Sequence, residues 1–169
     1  MLVYGINLID INGILLTLFD ISFPFKERLM ITSKQAMARY GDPAKEKSLV
    51  RFEVPKGLRV GAIPKAIYCN KDLVRPLTRA FINVIDRGLA DQIKTWDGCF
   101  NIRRTRNDTG ASLHSWALAI DINSSWNALG KAPSMSKELV KCFTDAGFDW
   151  GGVWKTPDGM HFQLARFED

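Results

Sequence analysis

Three features of the 169-residue chain predict an α+β fold with a mostly antiparallel sheet flanked by helices. Strand-like segments cluster on either side of long helical stretches instead of alternating with helices throughout, as expected when strands pair with their neighbours. Short runs such as Leu49–Val54 alternate with a period of two, whereas the longest stretch carries one apolar stripe at helical spacing. No internal repeat or low-complexity linker divides the chain, and its length suffices to bury one core without staples.

Residues 1–29 form an apolar N-terminal segment. Met1 to Phe25 lacks a basic leading region, contains Asp10 and Asp20, and offers no small-residue cleavage site at a suitable distance. It is therefore a poor signal peptide, and Asp10 in mid-run makes it a poor membrane span. Either it packs as a strand or helix, or the domain proper opens at Met30. Thr32-Ser33 followed by Lys34–Tyr40 and Gly41 already makes a capped helix. The expected organisation is the segment 1–29 followed by one domain, 30–169.

Further along, Leu49–Val54 reads as a strand ending at Pro55, Gly57–Ile63 as a loop with a short extended piece, and Ala66–Cys69 as another strand. Asn70 is a good N-cap for a long helix from Lys71 to about Ile93, with Leu73, Leu77, Phe81, Val84 and Ile85 as its apolar stripe. Pro76 belongs in its first turns or kinks it. Cys99–Arg104 reads as a strand and 105–113 as a polar loop. Ala117–Asn123 is a strand, Ser134 or Ser136 caps a helix running to Ala146 before Gly147, and His161–Arg166 closes the sheet.

Lys and Arg number 23 against 18 acidic residues, for a net charge of +5 and a pI near 9.2. Such a surface suits an anionic partner, a cell-wall polymer or a nucleic acid alike. Nucleic acid is not expected, because no motif interleaves aromatic and basic residues. Cys69, Cys99 and Cys142 are scattered, odd in number and without zinc-knuckle spacing. They read as reduced core thiols of a protein made in the cytoplasm.

The chemistry concentrates in two places. Both histidines of the chain lie in them: His114 with Asp121 seven residues later, and His161 preceded by Asp158. Three N/O ligands plus one spare carboxylate are the inventory of a catalytic zinc site. Seven residues of strand would separate His114 from Asp121 by roughly 23 Å and put them on opposite faces. One helix would hold them about 10.5 Å apart along its axis. The chain must therefore bend between them, most simply with His114 in a loop and Asp121 on a strand starting near Ala117. In that strand Leu118, Ile120 and Ile122 face the core, and Ala117, Ala119, Asp121 and Asn123 face the other way. The turn signal Pro157-Asp158-Gly159 can swing Asp158 toward an ion bound by His161.

These residues carry a resemblance. Ser112-x-His114-x-x-Ala117-x-Ala119-x-Asp121 with the later Asp158-Gly159-Met160-His161-Phe162 resembles the zinc D-alanyl-D-alanine carboxypeptidase family, and within it the phage-type L-alanyl-D-glutamate endopeptidases, the endolysins. The similarity extends back through Gly98–Arg103 and forward through Asn127 and Trp150-Gly151-Gly152, covering roughly residues 50 to 164. The family usually has glycine where this chain has Ala117. If that glycine serves positive φ, alanine costs stability; if it serves only close packing, alanine is the mildest replacement.

The resemblance implies a hedgehog- and DD-peptidase-like fold and a peptidase acting on the peptidoglycan stem peptide. Zn2+ would be held by His114, Asp121 and His161, with a fourth position left for water and Asp158 as general base. Arg103 matches the family's arginine after Asn101-Ile102 and would bind the carbonyl or a substrate carboxylate, with Arg106 as second choice. Ser112 would position substrate or the His114 loop. Trp150-Gly151-Gly152 and Trp154 would line a substrate groove or else be buried aromatics at a helix–strand junction. A non-hydrolytic zinc module of the same fold, as in hedgehog-type signalling domains, is the alternative, and Asp158 favours the enzyme. The expected protein is a monomer without a membrane span, made in the cytoplasm and acting on the cell wall after release or export by a partner.

Overall fold

The computed structural model describes residues 8–11, 14–17, 30–104 and 110–167. They form an α+β fold in which every strand pairing is antiparallel. Strands β1 (Leu8–Ile11) and β2 (Ile14–Thr17) pair as a hairpin. The remainder of 1–29 lies outside the described residues, and with it the choice between a packed element and an added segment.

Helix α1 (Ser33–Tyr40) starts at the expected cap. The Thr32 hydroxyl accepts from the Gln35 amide at 3.2 Å, and the Thr32 amide donates to Gln35 Oε1 at 2.9 Å, which satisfies two otherwise orphaned donors reciprocally. Gly41, at φ +76°, ends it. Strands β3 (Leu49–Glu53) and β4 (Ala66–Asn70) make a two-stranded sheet of their own rather than joining a larger one.

Asn70 is a cap, as the sequence predicts, but of a 3-10 turn, Lys71–Leu73, that leads into α2 (Val74–Asp86). The helix is thus shorter than the predicted span to Ile93. Gly88 is the reason. At φ +64° it lets its own amide reach the Ile85 carbonyl and the Leu89 amide reach that of Val84, the paired bonds that terminate a helix in a left-handed glycine. Pro76 falls in the first turn, where a missing N–H costs little. Leu73, Leu77, Phe81 and Val84 are buried as predicted, whereas Ile85 is exposed. Helix α3 (Lys137–Thr144) is capped by Ser136, whose hydroxyl accepts from the Leu139 amide at 3.1 Å; it stops short of the predicted Ala146.

The main sheet contains β5 (Trp96–Gly98), β6 (Ala119–Ile122), β7 (Phe148–Trp150) and β8 (His161–Leu164), in the order β5-β6-β8-β7. Three expectations are corrected here. The predicted strand Cys99–Arg104 is displaced to 96–98, because Gly98 at φ +127° and a bulge before it carry the chain away from the ladder. Strand β7 is additional, and it makes β8 an interior strand rather than the closing one. The predicted strand Ala117–Asn123 is trimmed at both ends by residues of positive φ, Ala117 and Asn123.

Register divides this sheet into two faces. Ile120 pairs with Phe162, and Phe162 with Trp150; Asp121 pairs with His161, and Ala119 with Gln163. The first set meets α3, with the Phe143 ring 4.7 Å from that of Phe162 and 5.8 Å from that of Phe148. Helix α2 backs α3 through a 2.9 Å bond from Asn83 Nδ2 to the Cys142 carbonyl. Phe81, Phe143, Phe148 and Phe162 are all fully buried, each contributing about 1.5–3 kcal/mol of transfer free energy. That packed face is the anvil on which β6 and β8 present Asp121 and His161 on the other side.

All three cysteines are unpaired and buried, as expected. Burial pushes the Cys69 thiol up to about 12, so it is inert at neutral pH.

Candidate metal centre

His114 sits in a 3-10 turn, Leu113–Trp116, rather than in an irregular loop. The Ser112 hydroxyl accepts from the His114 amide at 3.4 Å and caps the turn, which engages Ser112 in holding the histidine. On its other side the turn closes at Ala117, with φ +51° and ψ +38°. The position where the resembling family has glycine is therefore one of left-handed backbone, which a Cβ disfavours. This reversal points His114 back toward the strand that carries Asp121. Asn70 reinforces it, donating from Nδ2 to the Trp116 carbonyl at 3.1 Å and from its amide to that of Ala117 at 3.1 Å.

Asp121 and His161 are directly opposed across β6 and β8, so sheet register sets their approach. His161 Nδ1 lies 3.1 Å from Asp121 Oδ1; His114 Nε2 lies 3.2 Å from Asp121 Oδ2 and 3.2 Å from His161 Nδ1. Ligand atoms at about 2.0–2.1 Å around a tetrahedral zinc stand about 3.3 Å apart; the two imidazole nitrogens have that spacing, and each meets a different oxygen of the Asp121 carboxylate at a similar distance. Among the described residues, these three form the group of His, Cys, Asp and Glu side chains able to hold a metal, their donor atoms all within 4.8 Å of one another.

Each imidazole has its other nitrogen anchored. His114 Nδ1 faces the Cys99 carbonyl at 2.8 Å, and His161 Nε2 faces Gln163 Oε1 at 3.2 Å. Both acceptors require a proton on the nitrogen they face, which in the neutral rings leaves His114 Nε2 and His161 Nδ1 as lone-pair donors aimed at Asp121. Burial raises the Asp121 carboxyl, but the hydrogen bonds and charge that the two imidazoles supply when a proton occupies the nitrogens facing it outweigh burial. They hold Asp121 well below the usual carboxylate range, so it stays an anion suited to a cation.

Asp158 stands beside this triangle. A Cβ built on Gly151 would lie 3.2 Å from the Asp158 Cβ, 3.3 Å from the His161 Cβ and 2.7 Å from the Asp158 carbonyl oxygen. Gly151 thus leaves the gap through which the Asp158 turn closes onto His161. The Asp158 amide donates to the Gly151 carbonyl at 2.9 Å, and the His161 amide to the Asp158 carbonyl at 3.1 Å. The part-buried carboxylate is tied at both backbone ends to residues at the centre.

The predicted substrate residues have different placements. Trp150 lies on the sheet face opposite His161, its ring 6.4 Å from that of Phe162 and its indole N–H donating to the Gly159 carbonyl at 2.8 Å. Trp154 is the tryptophan against the centre, 5.3 Å from the His161 ring. Arg103 is half-buried. Its amide donates to the Ser115 hydroxyl at 3.1 Å and its carbonyl accepts from the Ser112 amide at 2.9 Å, so its backbone is held by two residues that flank His114. Arg104 makes a single bridge to Ala111, and no regular strand sets the directions of these arginines. Arg106 lies outside the described residues.

Sequence reasoning missed Cys99 as the carbonyl that accepts from His114, Gln163 as the partner of His161, and Gly151 as the spacer. Only Gln163 had a signal: two residues beyond a ligand on a strand is the same face.

Residues 105–164 match the family model described as D-alanyl-D-alanine carboxypeptidase. The matched segment contains His114, Asp121, Asp158 and His161; Arg103 precedes it. No curated protein and no solved structure matches the chain.

Proposed function

We propose that this chain, whose residues 105–164 match the family model described as D-alanyl-D-alanine carboxypeptidase, is a zinc metallopeptidase that hydrolyses a peptide bond in the peptidoglycan stem peptide. It acts either as an endolysin-type L-alanyl-D-glutamate endopeptidase or as a D-alanyl-D-alanine carboxypeptidase. The observation that carries the reading is the convergence of His114 Nε2, His161 Nδ1 and the two Asp121 carboxylate oxygens, with neighbouring contacts of 3.1–3.2 Å, three protein ligands leaving one position of a tetrahedral ion open.

When bound, zinc supplies a Lewis acid that brings the pKa of a water toward about 7 and polarises a carbonyl. The chain's own residues do the rest. His114 and His161 present fixed lone pairs, and anionic Asp121 balances part of the ion's charge. Asp158, next to His161, takes the proton of the attacking water and hands it to the departing amine as the C–N bond breaks. Arg103 supplies a cation for the oxyanion or for a substrate carboxylate, and Trp154 shields the outer side of His161. Asp158 has no use in a purely structural zinc module, and its place beside His161 favours hydrolysis over that alternative. The net positive charge suits an anionic wall polymer, which the protein would reach after release from the cytoplasm.

Digestion of purified peptidoglycan followed by mass spectrometry tests the reading. Zinc-loaded protein is expected to release stem-peptide fragments, and the bond cut separates the two activities. Asp158→Asn should keep its zinc and lose at least about a hundredfold in rate, the lower end of what general acid–base catalysis contributes. Unaltered muropeptides after prolonged digestion with the zinc-loaded protein would refute the proposal.

A further inference from the structure

The two histidines of the centre are not held alike. His114 turns Nε2 inward and its Nδ1–H is taken by a backbone carbonyl, that of Cys99. His161 turns Nδ1 inward, and its Nε2 is met by a side chain, the amide of Gln163. A primary amide can offer a neighbour either its oxygen or its NH2, so the end it presents decides which nitrogen of His161 bears the proton. With Oε1 toward Nε2, the proton sits on Nε2 and the Nδ1 lone pair points to Asp121 and His114. With the NH2 there, Nε2 must accept and the proton is forced onto Nδ1, into the space between the three ligands.

We infer that Gln163 is a positioning residue that fixes His161 as an Nδ1 ligand. This role rests on the zinc reading above. His161 and Gln163 are two apart on β8 and share the face that carries Asp121. Both are buried, so water is a poor substitute partner for the Nε2–H. The Trp154 ring at 5.3 Å occupies another side of the imidazole. The His161 ring therefore has its orientation set by β8, its outer side covered, and its tautomer chosen by one amide.

The test compares Gln163→Met, which keeps length and removes the acceptor, with Gln163→Glu, which can only accept when ionised. Zinc affinity is measured by competition with a chromophoric chelator, and the tautomer of His161 by imidazole nitrogen NMR of the zinc-free wild-type protein at mildly alkaline pH. Gln163→Met is expected to bind zinc about 10–100-fold more weakly, while Gln163→Glu stays close to wild type and zinc-free wild type shows the Nε2–H form. A folded Gln163→Met protein with wild-type affinity would overturn the inference, as would an Nδ1–H tautomer in the wild type. If Gln163→Met does not fold, the tautomer decides. If the wild type binds no zinc, the peptidase reading fails, and the NMR result still judges Gln163 separately.

Discussion

Ala117 is the residue at which local backbone and site geometry meet most directly. Its φ of +51° closes the His114 turn, and its side chain is fully buried. Left-handed backbone costs a non-glycine residue roughly 1–2 kcal/mol. Against this, its methyl contributes about 0.8 kcal/mol of burial, and glycine would add about 0.4–1 kcal/mol of unfolded-state entropy. The terms nearly cancel, which explains how alanine stands where the family has glycine. Ala117→Gly should therefore change stability by less than about 1 kcal/mol, a melting shift within about 4 °C for a chain of this size. Ala117→Val adds a β-branched side chain at positive φ and overpacks a filled site, and should cost about 2–3 kcal/mol. Calorimetry of the two variants checks this; equal melting temperatures for Val and Gly would contradict it.

Among the elements, the turn that carries Asp158 depends on Gly151. A Cβ there would sit 2.7 Å from the Asp158 carbonyl oxygen, with both the Asp158 and His161 Cβ atoms within 3.3 Å. Backbone cannot yield as a flexible side chain does, so Gly151→Ala must push the Asp158 turn away from β8. The expected outcome is a protein that still binds zinc, since Asp121 and His161 are fixed by strand register, but whose hydrolysis falls about as far as in Asp158→Asn. Parallel zinc analysis and peptidoglycan turnover separate the two effects; full activity would mean that the turn tolerates the displacement.

What the sequence revealed at this scale followed from signals local to one stretch. The cap of α3 could be narrowed to Ser134 or Ser136, of which the structure uses Ser136, and the capping residues Thr32 and Asn70 and the Pro157-Asp158-Gly159 turn could be read directly. So could the need for a bend between His114 and Asp121, because strand and helix dimensions exclude a straight path. The form of that bend could not, since it rests on the Asn70 side chain and on the Cys99 carbonyl, 44 and 15 residues from His114. Strand β7 was missed because three residues between a helix end and a glycine pair carry too little alternation. Likewise Trp150 could be recognised as an aromatic near the site, but its face is decided by its pairing with Phe162.

For the whole molecule, the centre rests on packing that its own residues do not supply. Helix α3, backed by α2, packs on one face of the main sheet, and that filled face supports β6 and β8 in the register that opposes Asp121 to His161. Buried thiols give a probe of this packing. Cys69, Cys99 and Cys142 lie on β4, beside the His114 turn and on α3, and burial raises all three thiols. In the native protein none should react with a thiol reagent at neutral pH, and all three should react together on unfolding. Rapid labelling of one cysteine in native buffer would show that its region opens locally.

Helix α1 carries its own cap at Thr32, and Met30 before it is exposed. We therefore expect a protein beginning at Met30 to fold, bind zinc and cut peptidoglycan like the full chain. A melting temperature lower by ten degrees or more, about what losing several kcal/mol would produce, would show instead that the first 29 residues complete the core.

If His114, Asp121 and His161 together hold one zinc ion, elemental analysis of the purified protein will show it. The wild type is expected to carry one zinc per chain. His114→Ala, Asp121→Ala and His161→Ala should each lose it, while Asp158→Asn keeps it. Undiminished zinc in two of the three ligand variants, with folding intact by circular dichroism, would contradict the account.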